Sequence, residues 1–105
     1  MLAVELFDTG DRLLVAVASA MHEAARSTDL VARLGGDEFA VALPATSLSY
    51  ALVAAHRFHR AIMDVRIPSE TGVEVTGQAS IGVAELDMSV HADADGVLAA
   101  ADAAL

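Results

Sequence analysis

The chain has no cysteine and no tryptophan, only two prolines, and 4% aromatic residues in 105 positions. Without cysteine it has neither a disulfide framework nor a thiolate metal site. No apolar run approaches the roughly 18–20 residues that a membrane helix needs. The opening Met1-Leu2-Ala3-Val4-Glu5 lacks the basic n-region of a signal peptide, so a cytoplasmic location is expected. Positive charge is scarce: fifteen acids stand against six bases, all of them arginine, for a net −9. A surface of that sign excludes double-stranded nucleic acid and anionic membranes as partners. It does not exclude a nucleotide, because a divalent metal neutralises phosphate locally. The arginine-only bases and the alanine excess read as genomic base composition rather than function.

What is present is a 55% hydrophobic chain, enough to bury a core in one domain. Asp8-Thr9-Gly10-Asp11 starts a helix, expected over 11–26, with Leu14, Val17, Ala18, Met21, Ala24 and Ala25 as its apolar stripe. Two short apolar runs, 30–34 and 39–43, flank a Gly-containing loop and read as a hairpin closed by Pro44. Thr46 or Ser47 caps a second helix ending near Val65, before Pro68. Its expected stripe is Leu48, Leu52, Ala55, Phe58 or His59, Ile62 and Val65. Strands follow at 73–75 and 76–86, with Gly77 and Gly82 marking bulges or close backbone approach. A last helix starts at Asp95. This order predicts an α+β fold with helices on an antiparallel-rich sheet.

The hairpin loop is Gly35-Gly36-Asp37-Glu38. A tight turn does not need two glycines followed by two acids. The glycines let backbone N–H groups approach an anion without Cβ interference. Adjacent carboxylates suit Mg²⁺, which binds one or two carboxylates together with substrate phosphate oxygens.

With Phe39 these residues spell a signature, and the chain resembles the GGDEF domains of diguanylate cyclases. Arg33-Leu34 before the loop, Gln78-Ala79-Ser80-Ile81-Gly82-Val83-Ala84, and the closing Ala101-Asp102-Ala103-Ala104-Leu105 resemble further family motifs. The resemblance implies a nucleotidyl-cyclase, ferredoxin-like sheet flanked by helices. It implies condensation of two GTP into cyclic di-GMP and pyrophosphate by a homodimer of facing domains, each holding Mg²⁺ or Mn²⁺. Asp37 would ligate metal. Glu38 would ligate metal or help deprotonate the 3′-hydroxyl. Gly35 and Gly36 would leave space for ribose and phosphate, and Asp11 would read guanine, a hydrogen-bond pairing that a carboxylate suits. Arg26-Ser27-Thr28-Asp29 lies where the family carries an inhibitory RxxD site for cyclic di-GMP, and Arg57 falls where it often supplies another arginine. Arginine forks onto phosphate or guanine and stacks on bases. His56 and His59 share a helix face but have no evident third metal ligand.

The resemblance also implies gaps. The family domain opens with an apolar strand carrying a metal-ligating aspartate, then Asn and Gly-His, before Gly-Asp. Here Gly10-Asp11 arrives after nine residues, the Asn would fall near Leu2, and Phe7 stands near the Gly-His position. The first strand is therefore expected to be missing, exposing strand edges. The family's later Lys and Arg, which contact GTP phosphates, fall beyond Leu105. Residues 1–9 are expected to be an atypical N-terminal remnant and 10–105 a partial GGDEF domain, truncated at both ends, with little or no cyclase activity. The alternative is a non-catalytic cyclic di-GMP or GTP-binding module using the RxxD site. A third reading is a non-functional remnant.

Overall fold

A computed structural model of the chain describes residues 1–6, 10–68 and 71–85. The expected helix from Asp95 and the closing motif at 101–105 lie outside them.

The first element is a strand, β1 (Leu2–Leu6), and it corrects the expectation that the first strand is missing. It lies in the middle of a four-stranded antiparallel sheet of order β2-β3-β1-β6. Its neighbours are β3 (Glu38–Ala42) and β6 (Ala79–Val83); β2 (Leu30–Gly35) pairs with β3 at the edge. With α1 (Asp11–Ala24) and α2 (Leu48–Met63), the order β1-α1-β2-β3-α2-β6 is the ferredoxin-like split βαβ arrangement. The strand is hard to read in the sequence for a physical reason. A five-residue strand buried on both faces reads as a short apolar run, not as alternation.

Leu2, Val4 and Leu6 of β1 are buried against Phe39 and Val41 of β3, beneath Leu13, Val17 and Met21 of α1 and Phe58 and Ile62 of α2. Each such side chain contributes about 1.5–3 kcal/mol on burial. The α1 stripe runs through Leu13, Val17 and Met21, with Leu14, Ala18, Ala24 and Ala25 partly buried beside it. In α2 the buried stripe is Ala51, Ala54, Phe58 and Ile62, and the expected stripe through Leu48 and Leu52 is corrected: they are exposed. Both stripes have helical spacing. The alanine one lets the helix approach closely enough to sink the Phe58 ring. Ser47 is the cap, its Oγ accepting from the Tyr50 N–H at 3.4 Å.

A separate hairpin, β4 (Arg66–Pro68) with β5 (Glu74–Thr76), fills the link from α2 to β6. Pro68 therefore ends a short edge strand, where a missing N–H is tolerated. Gly77 follows, and close backbone approach is the reason for it: a Cβ there would collide with the Ile62 carbonyl oxygen.

Candidate functional site

The loop between β2 and β3 is built by backbone conformation. Gly35 and Gly36 have φ of 144° and 50°, in the left-handed range that favours glycine. A register shift falls between Arg33 and Gly35. No atom lies within 4 Å of where a Cβ would stand on either glycine, so the turn faces open space. Arg33 and Leu6 both help to hold it. Arg33 donates from Nε and Nη2 to the Gly36 carbonyl oxygen at 3.2 and 2.8 Å. The Leu6 N–H donates to the Asp37 carbonyl oxygen at 2.9 Å. The end of β1 and the turn are thereby joined.

That junction brings in a residue that sequence reasoning missed. Glu5 is the one charged and the one exposed residue of β1, and it lies directly opposite Glu38 in the β1–β3 ladder. Opposed residues on one face have Cβ atoms about 4.5–5.5 Å apart, and like charges so placed repel. A lone acid inside the apolar run at residues 1–7 was the available signal. Asp37 is exposed beside this pair. Oxygen donors of this kind fit Mg²⁺ or Mn²⁺, hard cations that relieve carboxylate repulsion. Glu5, Asp37 and Glu38 would hold such an ion. Among the described residues no cluster of three or more acids, histidines or cysteines already has metal-binding proximity.

Asp11 stands apart from this group. It is the exposed first residue of α1 and lines a groove of about 370 Å³ with Arg12, Val15, Ala16 and Ile67, none of them in the β2–β3 turn. His56 and His59 line another groove, on the outer side of α2, with Arg57, Arg60, Met63 and Asp64.

The RxxD residues are brought together. The Asp29 side chain is only 2% exposed and accepts from the Arg26 backbone N–H at 2.8 Å. Its Oδ2 also lies 3.8 Å from Arg26 Nε and 3.7 Å from Arg57 Nη2. Arg57 reaches in from α2 and donates from Nε to the Ala24 carbonyl oxygen, at the C-terminus of α1, at 2.8 Å. Arg57 Nη2 is buried with no hydrogen-bond partner. The two arginines thus converge on one carboxylate, and Arg26 remains about half exposed.

Comparison with known proteins identifies the family. The family model for the diguanylate cyclase GGDEF domain matches residues 7–105. The chain is 36% identical over 80 residues to the probable diguanylate cyclase DgcC of Escherichia coli K12, covering 76% of this chain and 21% of that protein. It is 33% identical over 98 residues to E. coli diguanylate cyclase DosC, covering 93% of this chain and 21% of that protein. The solved GGDEF domain of Pseudomonas aeruginosa YfiN superimposes with a TM-score of 0.82 at 31% identity, over 97% of this chain and 70% of that one. P. aeruginosa diguanylate cyclase SiaD, solved with its activator SiaC, gives 0.87 at 28% identity, over 98% of this chain and 43% of that one. The chain belongs to the GGDEF-domain family. It spans about a fifth of the length of the curated relatives DgcC and DosC.

Proposed function

We propose that the chain is a diguanylate cyclase-type domain that binds GTP with Mg²⁺ or Mn²⁺ at the β2–β3 turn, in a reaction that condenses two GTP into cyclic di-GMP, with each 3′-hydroxyl displacing one pyrophosphate from the other nucleotide's α-phosphate. The observation that carries this is the meeting of Glu5 and Glu38 across the ladder beside Asp37 and the Gly35-Gly36 turn. A divalent ion there would neutralise phosphate charge and polarise the phosphoryl group. The chain's own groups do the rest. Glu5, Asp37 and Glu38 supply oxygen ligands, and Glu38 accepts a proton from a 3′-hydroxyl. The open backbone at Gly35 and Gly36 admits ribose and phosphate, and Asp11 reads the guanine edge. Two such domains facing each other, each holding one GTP, complete the reaction. In this reading β1 belongs to the domain with residues 10–105.

By itself this 105-residue chain turns over little or no GTP. It contains no asparagine and no lysine, so the Asn that reads guanine and the Lys that binds phosphate in the resembling domains have no counterpart in it. Chromatography of purified protein incubated with GTP and Mg²⁺ or Mn²⁺ checks this, and robust cyclic di-GMP formation would overturn it.

A second reading rests on a different observation, the convergence of Arg26 and Arg57 on Asp29. There the chain binds cyclic di-GMP as an inhibitory or receptor site. Calorimetry on wild type and Arg26→Ala tests it: binding lost in the variant supports the site, and no binding by the wild type removes it.

A further inference from the structure

Next to the RxxD turn lies a small groove of about 230 Å³, lined by Arg26, Ala45, Thr46 and Tyr50. Its volume is below the roughly 300–1,000 Å³ of sites that enclose a whole drug-sized ligand. It matches one ring system better than a dinucleotide. Three features mark it. Tyr50 is 68% exposed, an aromatic ring left in solvent in the first turn of α2. Ala45, in the wall, has φ of 51° and is the one non-glycine residue with positive φ among the described residues. Strained residues of this kind persist where their surroundings hold them, and they cluster at ligand sites. The third is Arg26, whose guanidinium is half exposed and held from below by Asp29.

We propose that Tyr50 is the stacking platform of a base subsite. In it one purine of a cyclic dinucleotide lies on the Tyr50 ring while Arg26 takes the adjoining phosphate or base edge. This rests on the second reading above, that the RxxD residues bind cyclic di-GMP, and adds a residue to it. Aromatic rings bind any base through its π-face, and arginine adds cation–π and forked hydrogen bonds. Purines offer the larger face. Asp29, buried beneath Arg26, holds that arginine beside the groove, and Tyr50 supplies the stacking face.

The chain carries its own reporter. Tyr50 is the only tyrosine and there is no tryptophan, so intrinsic tyrosine fluorescence comes from this position alone. Titrating wild type with cyclic di-GMP, followed by fluorescence and in parallel by calorimetry, is expected to quench that emission along the calorimetric binding curve. Tyr50→Ala is expected to weaken binding about five- to a hundredfold, while Tyr50→Phe, which keeps the ring, binds like wild type. Calorimetric binding without quenching, with Tyr50→Ala as tight as wild type, overturns the subsite and leaves the RxxD reading standing. No calorimetric binding by the wild type overturns both. Far-ultraviolet circular dichroism of the variants controls for folding, which truncation of so exposed a side chain should leave intact.

Discussion

Arg33 places two N–H groups on one acceptor, the carbonyl oxygen of Gly36, and so ties the turn that presents Asp37 and Glu38 to the strand leading into it. It is a positioning residue. Removing it with Arg33→Met should free Gly36–Glu38 to sample other conformations. Each hydrogen bond contributes about 0.5–1.5 kcal/mol, less where solvent competes. Amide hydrogen exchange at residues 36–38 is expected to speed up several-fold, with exchange in α1 and α2 unchanged. Arg33→Lys should not restore protection, because a single ammonium cannot fork as guanidinium does. Unchanged exchange in both variants would show the clasp to be idle.

Glu5 facing Glu38 should cost stability in the absence of a divalent ion. Glu5→Gln is expected to raise metal-free stability by about 0.2–1 kcal/mol, the range for cross-strand pairs. Wild type should gain Tm on addition of Mg²⁺ or Mn²⁺, since an ion that binds only the folded state stabilises it by mass action. Glu5→Gln should lose most of that gain. Equal metal-dependent shifts in both proteins would remove Glu5 from the ion's ligands.

Arg57 joins the end of α1 to the RxxD turn through Ala24 and Asp29. Arg57→Ala leaves the buried Asp29 carboxylate with Arg26 as its one arginine neighbour and deprives the Ala24 carbonyl of its donor. A loss of about 1–3 kcal/mol is expected in urea denaturation. Arg60→Ala, on the exposed side of the same helix, should stay within about 0.5 kcal/mol of wild type.

Gly77 sits against backbone, not against a flexible side chain. Gly77→Ala should therefore force β6 and the end of α2 apart, at a cost of about 1–3 kcal/mol, as for other overpacked positions. Gly36→Ala meets no neighbouring atom, so its penalty should come from the positive φ alone, about 1–2 kcal/mol. Thermal unfolding of the two variants separates the two causes.

Much of the domain could be read from residue order. The β2–β3 hairpin, both helices and the Gly35-to-Glu38 turn follow from glycine placement and helical spacing. The parts that could not be read share a cause. Leu48 and Leu52, four residues apart, suit a helix face as well as Ala51 and Ala54, three apart, and only packing selects the alanine face. Phe58→Ala should accordingly cost about 3–5 kcal/mol, and Leu52→Ala within about 0.5 kcal/mol. Arg26, Asp29 and Arg57 were recognisable by family spacing, yet their convergence on one carboxylate depends on how α2 lies across the end of α1. Glu5 stood out as a lone acid in an apolar run, but its pairing was not legible, because its partner Glu38 is remote in sequence and cross-strand register is not written in either strand alone.

The central place of β1 has a consequence for how the protein is made. Leu2 pairs with Val41 on one side and with Val83 on the other. The middle of the sheet is thus synthesised before either flank, and one edge stays open until β6 emerges. Long-range pairings of this kind slow folding, because loop closure precedes any reward. A nascent or clipped chain ending before residue 79 would carry an apolar strand with an unsatisfied edge, the form in which strands recruit strangers. The presence of residues 79–83 thereby governs whether the strand at residues 2–6 stays covered.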